Sequence, residues 1–198
     1  MPTFSVIYMI SWQSLEYEIK ACKTCPLHRS CTQKLIGQGN LHAQLMVVSD
    51  FPNAQEDKEN AFFVGPKGTL LANMLRAIGI AKEQVYICNV LKCKPPKEHK
   101  PEDFEIASCG DFLLAQIELV QPDVILLLGT TALQFFKGKD YSVSQDHGIF
   151  YHYNKKIIFS TFHPAALLFK PALKYKAWED LQTLQKKLQD MNQAANSL

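Results

Sequence analysis

A short apolar run that ends before two prolines constrains the fold more than any other feature of this sequence. Residues 85–90 are mostly β-branched and apolar, which predicts a short buried strand. Pro95 and Pro96 prevent the strand from continuing. In open α/β sheets, ligand groups lie beyond the carboxyl ends of the strands. Asn89 lies at this end and Cys93 follows it, so we expect a recognition group and a metal ligand at one corner of the fold.

The other apolar runs alternate with segments of helical periodicity. Apolar residues recur at helical spacing from Leu70 to Ile78, and a longer amphipathic segment begins at Pro101 and ends before Pro122. This alternation predicts an α/β fold, in which helices cover both faces of a parallel sheet. The predicted strands are residues 45–48, 85–90, 124–128 and 157–161, with a hairpin-like stretch at 141–153 and a last helix at 171–190.

The size and composition of the chain are those of one globular domain. It has 198 residues, of which 47% are hydrophobic and 20% are charged. We expect a single domain over residues 1–198, with its core at about 22–184 and a frayed tail at about 191–198. The net charge is only +2, so local basic patches would have to bind any nucleic-acid partner. The sequence contains no Gly-x-Gly-x-x-Gly or P-loop pattern, which argues against nucleotide-cofactor chemistry.

The cysteines indicate a reducing compartment. No apolar run approaches the ~20 residues that a membrane helix needs. Residues 1–10 lack a basic leader and a small-residue cleavage site, so we do not interpret them as a signal peptide. We therefore expect a cytoplasmic protein without a membrane partner, in which the six cysteines bind metal in preference to forming disulfides.

Four of the cysteines form two candidate chelating pairs. Cys22-x-x-Cys25 is one pair, and Cys93 and Cys109 form a second, separated by a Pro-rich loop and the start of a helix. Four thiolates can bind zinc tetrahedrally or hold an iron–sulfur cluster. Spacing alone leaves open that these cysteines are small buried hydrophobic residues.

The remaining two cysteines are harder to assign. Cys88 lies within a strand pattern and is expected in the core. Cys31 is ambiguous, because it is close enough in sequence to chelate together with Cys25.

Taken together, these motifs resemble the type 4 uracil-DNA glycosylases, the iron–sulfur members of the uracil-DNA glycosylase superfamily. The resemblance implies a three-layer α/β/α sandwich with a central four-stranded parallel sheet. It also implies a [4Fe–4S] cluster on Cys22, Cys25, Cys93 and Cys109. The matching motifs are Cys22-x-x-Cys25, Phe63-Val-Gly65, Asn89-Val-Leu-Lys-Cys-Lys-Pro-Pro96, Cys109 and His163-Pro-Ala-Ala-Leu-Leu168.

The first site motif departs from the family pattern. The family has Gly-Glu-Ala-Pro-Gly-x-x-Glu-Asp, whereas this chain has Ser-Asp-Phe-Pro-Asn-Ala-Gln-Glu-Asp from Ser49. Asp50 keeps a carboxylate on a shorter side chain. Asn53 replaces a small residue, which suits a backbone position with φ > 0. Phe51 also replaces a small residue and is expected to narrow the pocket. The family's Arg-Gly stretch before the last strand is His147-Gly148 here.

The resemblance implies that the enzyme flips the target base out of the DNA and reads it in a pocket. Phe63 would stack on uracil, Asn89 would hydrogen-bond its edge, and Glu56 would crowd the methyl group of thymine, with Ser49 also in the substrate site. His163 would donate to the departing uracil at O2. Asp50 would position water or stabilise the cationic sugar.

The same resemblance implies a DNA-binding surface on a monomer. Leu167 and Leu168 would form an apolar wedge in the minor groove, and Lys94 is one of several lysines that would contact phosphates. Each assigned residue also has a plain structural interpretation. These are core packing for Phe63 and the two leucines, a turn or cap for Asn89 and His163, and a solvated charge for Glu56 and the lysines.

Three other functions fit the sequence. The changed first motif favours either a glycosylase-like module that binds DNA or DNA damage without turnover, or a superfamily member with shifted base specificity. A zinc-stapled α/β hydrolase is the third alternative, and a brown protein would argue against it because zinc is colourless.

Overall fold

The computed structural model describes residues 11–97 and 99–195, which form a mixed α/β fold around one sheet. Within those residues the sheet has six strands in the order β1-β3-β2-β4-β6-β5. The four central strands are parallel, as predicted. The strands are Gln38–Gly39 (β1), Leu45–Ser49 (β2), Tyr86–Asn89 (β3), Val124–Leu128 (β4), Phe150–Tyr153 (β5) and Lys156–Thr161 (β6).

The predicted count of four strands is too low, because antiparallel strands flank the parallel core at both edges. β1 has only two residues, both exposed, so no hydrophobic pattern marks it. β5 forms a hairpin with β6 through a turn in which Asn154 has φ 54°. That strand lies inside the stretch that was predicted to be hairpin-like. Three of its side chains are half-buried and His152 is exposed, so burial does not alternate along it.

The helices follow the predicted segments with shifted ends. Pro66 fits the first turn of its helix, where no backbone donor is needed, so that helix begins three residues before the predicted Gly68. The helices are Trp12–Ala21 (α1), Ala54–Glu59 (α2), Gly65–Ala77 (α3), Asp103–Val120 (α4), Thr130–Lys137 (α5), Val143–Asp146 (α6), Pro164–Phe169 (α7) and Lys174–Ala195 (α8), with 3₁₀ turns at Pro26–Arg29 and Pro171–Leu173.

The alternation of side chains along β3 shows that helices lie on both faces of the sheet. The Tyr86 ring contacts the Trp12 ring of α1 at 5.5 Å, and its hydroxyl accepts from Gln116 of α4. Ile87 points to the other face, where it lines a cavity together with Leu71 of α3. This arrangement agrees with the predicted three layers.

The register of the parallel strands brings their carboxyl ends to one edge. Ser49 of β2 pairs with Asn89 of β3, and Leu128 of β4 pairs with Thr161 of β6. The loops that leave these four ends therefore carry the chain's polar and catalytic candidates to one place.

At the C-terminal end, the last helix is longer than predicted. α8 continues to Ala195, beyond its predicted end at Asp190. The absence of a signal peptide was predicted for residues 1–10, which lie outside the described residues, as do residues 196–198 of the predicted tail. Across residues 11–97 and 99–195, no helix has the length and apolar character needed to cross a membrane.

Candidate active site and cysteine cluster

A small cavity lies at the carboxyl edge of the sheet, and four of the predicted site residues line it. Its volume is about 10 Å³, which is roughly what one water molecule needs. A flipped base therefore enters only if side chains at the mouth move. The lining includes Ser49, Glu56, Phe63, Lys67 and His163, with Phe62, Gly68, Leu71, Ile87, Leu128 and Pro164 completing the wall.

Two hydrogen bonds fix the tautomer of His163. The backbone N–H of Ala165 donates to Nδ1 at 3.0 Å, so Nδ1 carries no proton. The proton of the neutral ring is therefore on Nε2, which lies 2.9 Å from the Ser49 hydroxyl. Burial, aided by the charge of Lys67, lowers the pKa of His163 to about 3. At neutral pH this ring is an uncharged donor aimed into the cavity edge.

Asn89 has an unused donor in the protein interior. The residue is 1% exposed, and its Nδ2 is the buried side-chain atom that finds no hydrogen-bond partner within the described part of the chain. It pairs with Ser49 and lies on the same face of β3 as Ile87, which lines the cavity. Buried donors are rarely left unpaired, because the loss of hydration costs about 1–3 kcal/mol. Such an orphan donor marks a place for a ligand acceptor.

Phe63 is held in a backbone conformation that few residues adopt. Its φ is 60°, in the left-handed region, which bulky side chains avoid. The backbone of Phe63 lies directly against Gly68, where an added Cβ would be 2.2 Å from the Phe63 carbonyl carbon. The strained position presents the ring at the cavity wall, where strain usually serves a function.

Glu56 is not a solvated charge. It is 4% exposed, and its carboxylate accepts from the Asn53 backbone at 2.9 Å and from Lys67 at 3.0 Å. Sequence reasoning missed Lys67, because a single lysine between two glycines carries no periodic or motif signal. The ion pair places a fixed cation in the cavity wall, close enough to influence both His163 and Asp50.

Asp50 has a structural partner that the sequence did not reveal. Its carboxylate accepts from the Ala132 backbone at 2.9 Å, near the start of α5. The N-cap residue of α5 is Gly129, which has no side chain, so Asp50 caps this helix from the loop after β2. The close approach also requires a glycine, since a Cβ at Gly129 would lie 2.8 Å from the carboxylate.

The environment of Asp50 shifts its protonation. Burial raises the pKa of Asp50 to about 6, against the opposing effects of the Ala132 N–H and Lys67. The folded state thus holds this proton to a higher pH than the unfolded chain, whose carboxyl titrates near 3.8. The carboxyl favours folding most below that value, and the contribution is lost as the pH rises through 6.

Two predictions about the changed first motif are wrong. Asn53 has φ −83°, not a positive φ, and its side chain instead caps α2 by accepting from the backbone of Gln55 and Glu56. Phe51 is not among the residues that line the cavity, so it does not narrow the pocket in the way predicted. It packs against the cluster of Leu27, Leu91, Cys93 and Cys109.

All four predicted ligand cysteines line a second, apolar cavity. The sulfur of Cys109 accepts from the Lys92 backbone at 3.3 Å, a contact that stabilises thiolate charge. Cys31, the ambiguous residue, lines a different surface groove but also packs against Cys93 and Cys109. Cys88 is buried in β3 as predicted. The cavity wall consists of Cys22, Cys25, Cys93 and Cys109 with Ile19, Thr24, Leu27, His28, Lys34, Leu91, Lys92, Ser108 and Phe112.

The chemistry of this donor set fits a metal–sulfur group. Burial raises the pKa of Cys93 and Cys109, and their crowding with other thiols raises it further. A bound cationic centre would relieve both effects. In the described part of the chain, no group of three Cys, His, Asp or Glu side chains is arranged to hold a metal ion.

One half of the predicted DNA wedge is wrong. Leu167 is 1% exposed and packs into the main core, because it lies on the inner face of α7. Leu168 is 44% exposed and Phe169 is 82% exposed. Phe169 was missed because helical periodicity does not distinguish an exposed aromatic residue at a helix end from a core residue. Lys94 is half-buried next to Cys93, and its predicted phosphate contact stays a prediction.

The sequence of the chain matches known proteins over most of its length. The profile described as "Uracil DNA glycosylase superfamily" matches residues 36–182. The chain belongs to this superfamily. A type-4 uracil-DNA glycosylase from Thermotoga maritima is 48% identical over 153 residues, covering 76% of this chain and 79% of the relative. One from Archaeoglobus fulgidus is 36% identical over 191 residues, covering 89% and 92%.

The glycosylase match and the geometry select the same region. Residues 36–182 contain every residue that lines the cavity at the carboxyl edge of the sheet, together with Cys93 and Cys109. Cys22 and Cys25 precede the matched region, but the fold brings them to the same sulfur-lined cavity. A type-5 uracil-DNA glycosylase from Pyrobaculum aerophilum is more distant, at 28% identity over 48% of this chain.

Alanine substitutions along α7 separate core from surface. Leu167→Ala removes a buried side chain, so we expect urea unfolding to show a loss of about 2–5 kcal/mol. Leu168→Ala and Phe169→Ala are exposed changes and should stay within about 0.5 kcal/mol of the parent. If these two side chains enter DNA, both variants slow uracil release from duplex more than from single strands. Release rates on duplex DNA equal to those of the parent would show that α7 has no wedge.

Proposed function

We propose that this protein is a monofunctional uracil-DNA glycosylase of DNA base excision repair, which hydrolyses the bond between uracil and deoxyribose and leaves an abasic site. The observation that carries the proposal is the presence of two hydrogen-bond donors at one edge of the sheet. One is Nδ2 of Asn89, a buried amide without a partner among the described residues, and the other is Nε2 of the neutral His163 ring. Relatives named type-4 uracil-DNA glycosylases support it.

The orphan amide explains the choice of base. Uracil presents a carbonyl acceptor at position 4, whereas cytosine presents an amino donor there. The Nδ2 group of Asn89 can pair only with an acceptor, so cytosine would leave two buried donors facing each other. Such a mismatch supports strong discrimination, since a site built around a buried polar group rejects partners that leave it unpaired. Phe63 stacks on the ring, and Glu56 excludes a 5-methyl group.

Breaking the glycosidic bond moves an electron pair onto the base. As the C1′–N1 bond lengthens, negative charge grows on uracil, and a donor near O2 stabilises this state more than the ground state. His163 can act in this way because its proton is on Nε2 and its low pKa keeps the ring neutral. The bond to Ser49 is exchanged for one to uracil, and the Lys67 ammonium adds positive charge to the wall.

Water completes the reaction. Its oxygen bonds to C1′, one of its protons leaves to solvent or to a base, and uracil takes up a proton as the free product. We assign Asp50 to the water side, as a group that orients the water or stabilises the cationic sugar. One carboxylate oxygen is already held by the Ala132 N–H, which fixes the side chain in place.

We propose that Cys22, Cys25, Cys93 and Cys109 hold a [4Fe–4S] cluster. When bound, such a cluster supplies a rigid cross-link between these loops and takes no part in the hydrolysis. The Cys93 ligand is four residues beyond Asn89, so the cross-link stabilises the corner that carries the recognition amide. The apolar shell, which includes Leu27, Leu91 and Phe112, keeps water from the sulfurs.

The proposed partner is uracil-containing DNA, single- or double-stranded, bound by a monomer in the cytoplasm. The exposed Leu168 and Phe169 and the adjacent Lys170 support a DNA-facing surface at the end of α7. Six free cysteines are consistent with a reducing compartment.

A second candidate function follows from Asp50. Because its carboxylate caps α5, the residue has a structural reason to be present without any chemistry. The protein would then bind DNA or damaged bases without turning them over, and the release assay below separates the two functions.

The decisive experiment measures uracil release by purified holoprotein from single- and double-stranded DNA, with hypoxanthine, xanthine and thymine mismatches in parallel. We expect release of uracil, and a loss of about 10²–10³-fold in the single-turnover rate for His163→Ala, the cost of removing one such donor. The variant should keep the iron content and DNA affinity of the parent. Failure of the parent to release uracil while it binds DNA would establish the binding module, and release of another base would establish shifted specificity.

Asp50 can be tested with a matched pair. Asp50→Asn keeps an oxygen that accepts from Ala132 but removes the charge, so we expect release slowed on the order of 10²-fold. The parent rate should fall below about pH 6 as Asp50 becomes protonated, and this inflection should vanish in the variant. Asp50→Ala also removes the cap and should cost about 1 kcal/mol of unfolding free energy. Parent-like release by Asp50→Asn would leave Asp50 with capping alone.

Two serine variants test the cluster assignment. Cys109→Ser removes a proposed ligand, so we expect loss of bound iron and of the visible absorption of the cluster. Cys31→Ser tests the competing ligand, because Cys31 packs against Cys93 and Cys109 without lining the sulfur cavity, and on the proposed ligand set this variant should keep both. Iron and acid-labile sulfide analysis provide the measurement, and iron retained by Cys109→Ser but lost by Cys31→Ser would reverse the assignment.

A further inference from the structure

One lysine is fully buried between the recognition amide and the cysteine cavity. Lys92 is 1% exposed and is among the largest side chains of the protein interior. Its ammonium donates to the Asn89 backbone carbonyl at 2.6 Å and to the Gln116 side-chain carbonyl at 2.5 Å. Lysine is rarely buried so completely unless its charge is compensated, which makes the position unusual.

The two acceptors satisfy hydrogen bonds but do not balance the charge. Both are neutral amide oxygens, and among the ion pairs formed by the described residues none includes Lys92. A buried ammonium without a counter-charge is strongly unfavourable. The compensating anion must therefore come from another group near Lys92.

Thiolate sulfur is the anion that the surroundings offer. Lys92 lines the same cavity as the four cysteines, directly precedes Cys93, and donates its backbone N–H to the Cys109 sulfur at 3.3 Å. Four thiolates outweigh the charge of an iron–sulfur core, so a cluster at this position would be an anion in an apolar shell.

We propose that Lys92 is a positioning residue whose ammonium is the internal counter-charge of the cysteine-bound cluster, and which couples that cluster to the orientation of Asn89. The inference depends on the proposed function and its cluster. Lys92 contacts neither uracil nor the scissile bond. It acts through the Asn89 carbonyl on one side and through the charge of the sulfur centre on the other.

The contacts around Lys92 show how the coupling operates. Gln116, which accepts from Lys92, also donates to the Tyr86 hydroxyl and to the Ile36 carbonyl. The Gln116 side chain thus hydrogen-bonds the first residue of β3, while the Lys92 ammonium hydrogen-bonds the last residue, Asn89. The carbonyl of Lys92 in turn accepts from Leu35. Losing the ammonium would free the Asn89 peptide and tilt the amide that reads the base.

The test compares holoprotein carrying Lys92→Met with the parent. Methionine has similar length but no charge, so we expect a more negative cluster reduction potential, because a nearby positive charge favours the added electron. Iron retention during exposure to air should shorten, and kcat for uracil should fall about 10–100-fold, the usual effect of losing an outer partner of a metal site. We expect KM to change much less than kcat.

Two further variants separate the effect of the charge from that of the hydrogen bond, and a third is a control. Lys92→Arg keeps the charge, so its potential should stay near that of the parent even if kcat falls. Gln116→Met keeps the ammonium but removes one acceptor, and we expect a lower kcat with full iron content. Lys186→Met is the control, because it removes an exposed lysine of α8 that is distant in sequence from both centres, and it should behave as the parent.

The outcomes distinguish this inference from the proposed function. A parent protein that lacks iron or fails to release uracil overturns the function or its cofactor, and the Lys92 inference with it. A parent with both properties, and a Lys92→Met variant with unchanged potential, iron retention and kcat, overturns the inference alone. If Lys92→Met does not fold, a Lys92→Arg potential like that of the parent together with a reduced kcat in Gln116→Met supports the inference. A shifted potential in Lys92→Arg, or an unchanged kcat in Gln116→Met, overturns the inference.

Discussion

The parallel pairing of β2 with β3 is the constraint on which the rest of the site depends. It sets Ser49 beside Asn89, and the Ser49 hydroxyl in turn contacts His163 beyond β6. Continuing backbone hydrogen bonds, from Val90 to Ser49 and from Leu91 to Asp50, carry the pairing past the strand ends. A register slip of one residue would turn Asn89 to the opposite face of the sheet. The positions of Ser49 and Asn89, the residue proposed to recognise the base, are therefore fixed by backbone hydrogen bonding between the two strands.

The sequence predicted those parts of the fold that depend on local pattern. β4 is found at its predicted residues, since a fully apolar run between polar ends leaves little choice. The four parallel strands and the positions of Asn89 and His163 at their ends followed from the same reasoning. The family motifs then grouped the four cysteines, which spacing alone could not do because these residues are distant in sequence and meet at one cavity only after folding.

What the sequence could not predict depends on tertiary contacts. Nothing local shows that Asp50 caps a helix after β4, or that Lys67 pairs with Glu56 across 11 positions. The helical pattern of α7 gave two neighbouring leucines, yet only the fold decides that Leu167 faces the core. Asn53 illustrates a different limit, because the same residue type suits both a left-handed turn and a helix cap.

The site shows a consistent division among its buried polar groups. Glu56 has a cation, Asp50 has a helix N-terminus, and the ammonium of Lys92 has two carbonyls, so each is held before substrate arrives. Among the described residues, the Asn89 amide is the buried side-chain group left unpaired, and the cavity lined by its strand neighbours Ser49 and Ile87 admits about one water molecule. On the proposed function, uracil would supply the acceptor that the Asn89 amide lacks, and the Ser49–His163 hydrogen bond would open to admit it. A base without an acceptor at the Asn89 end would break that hydrogen bond and form none in its place, so the proposed site would select the base as it enters.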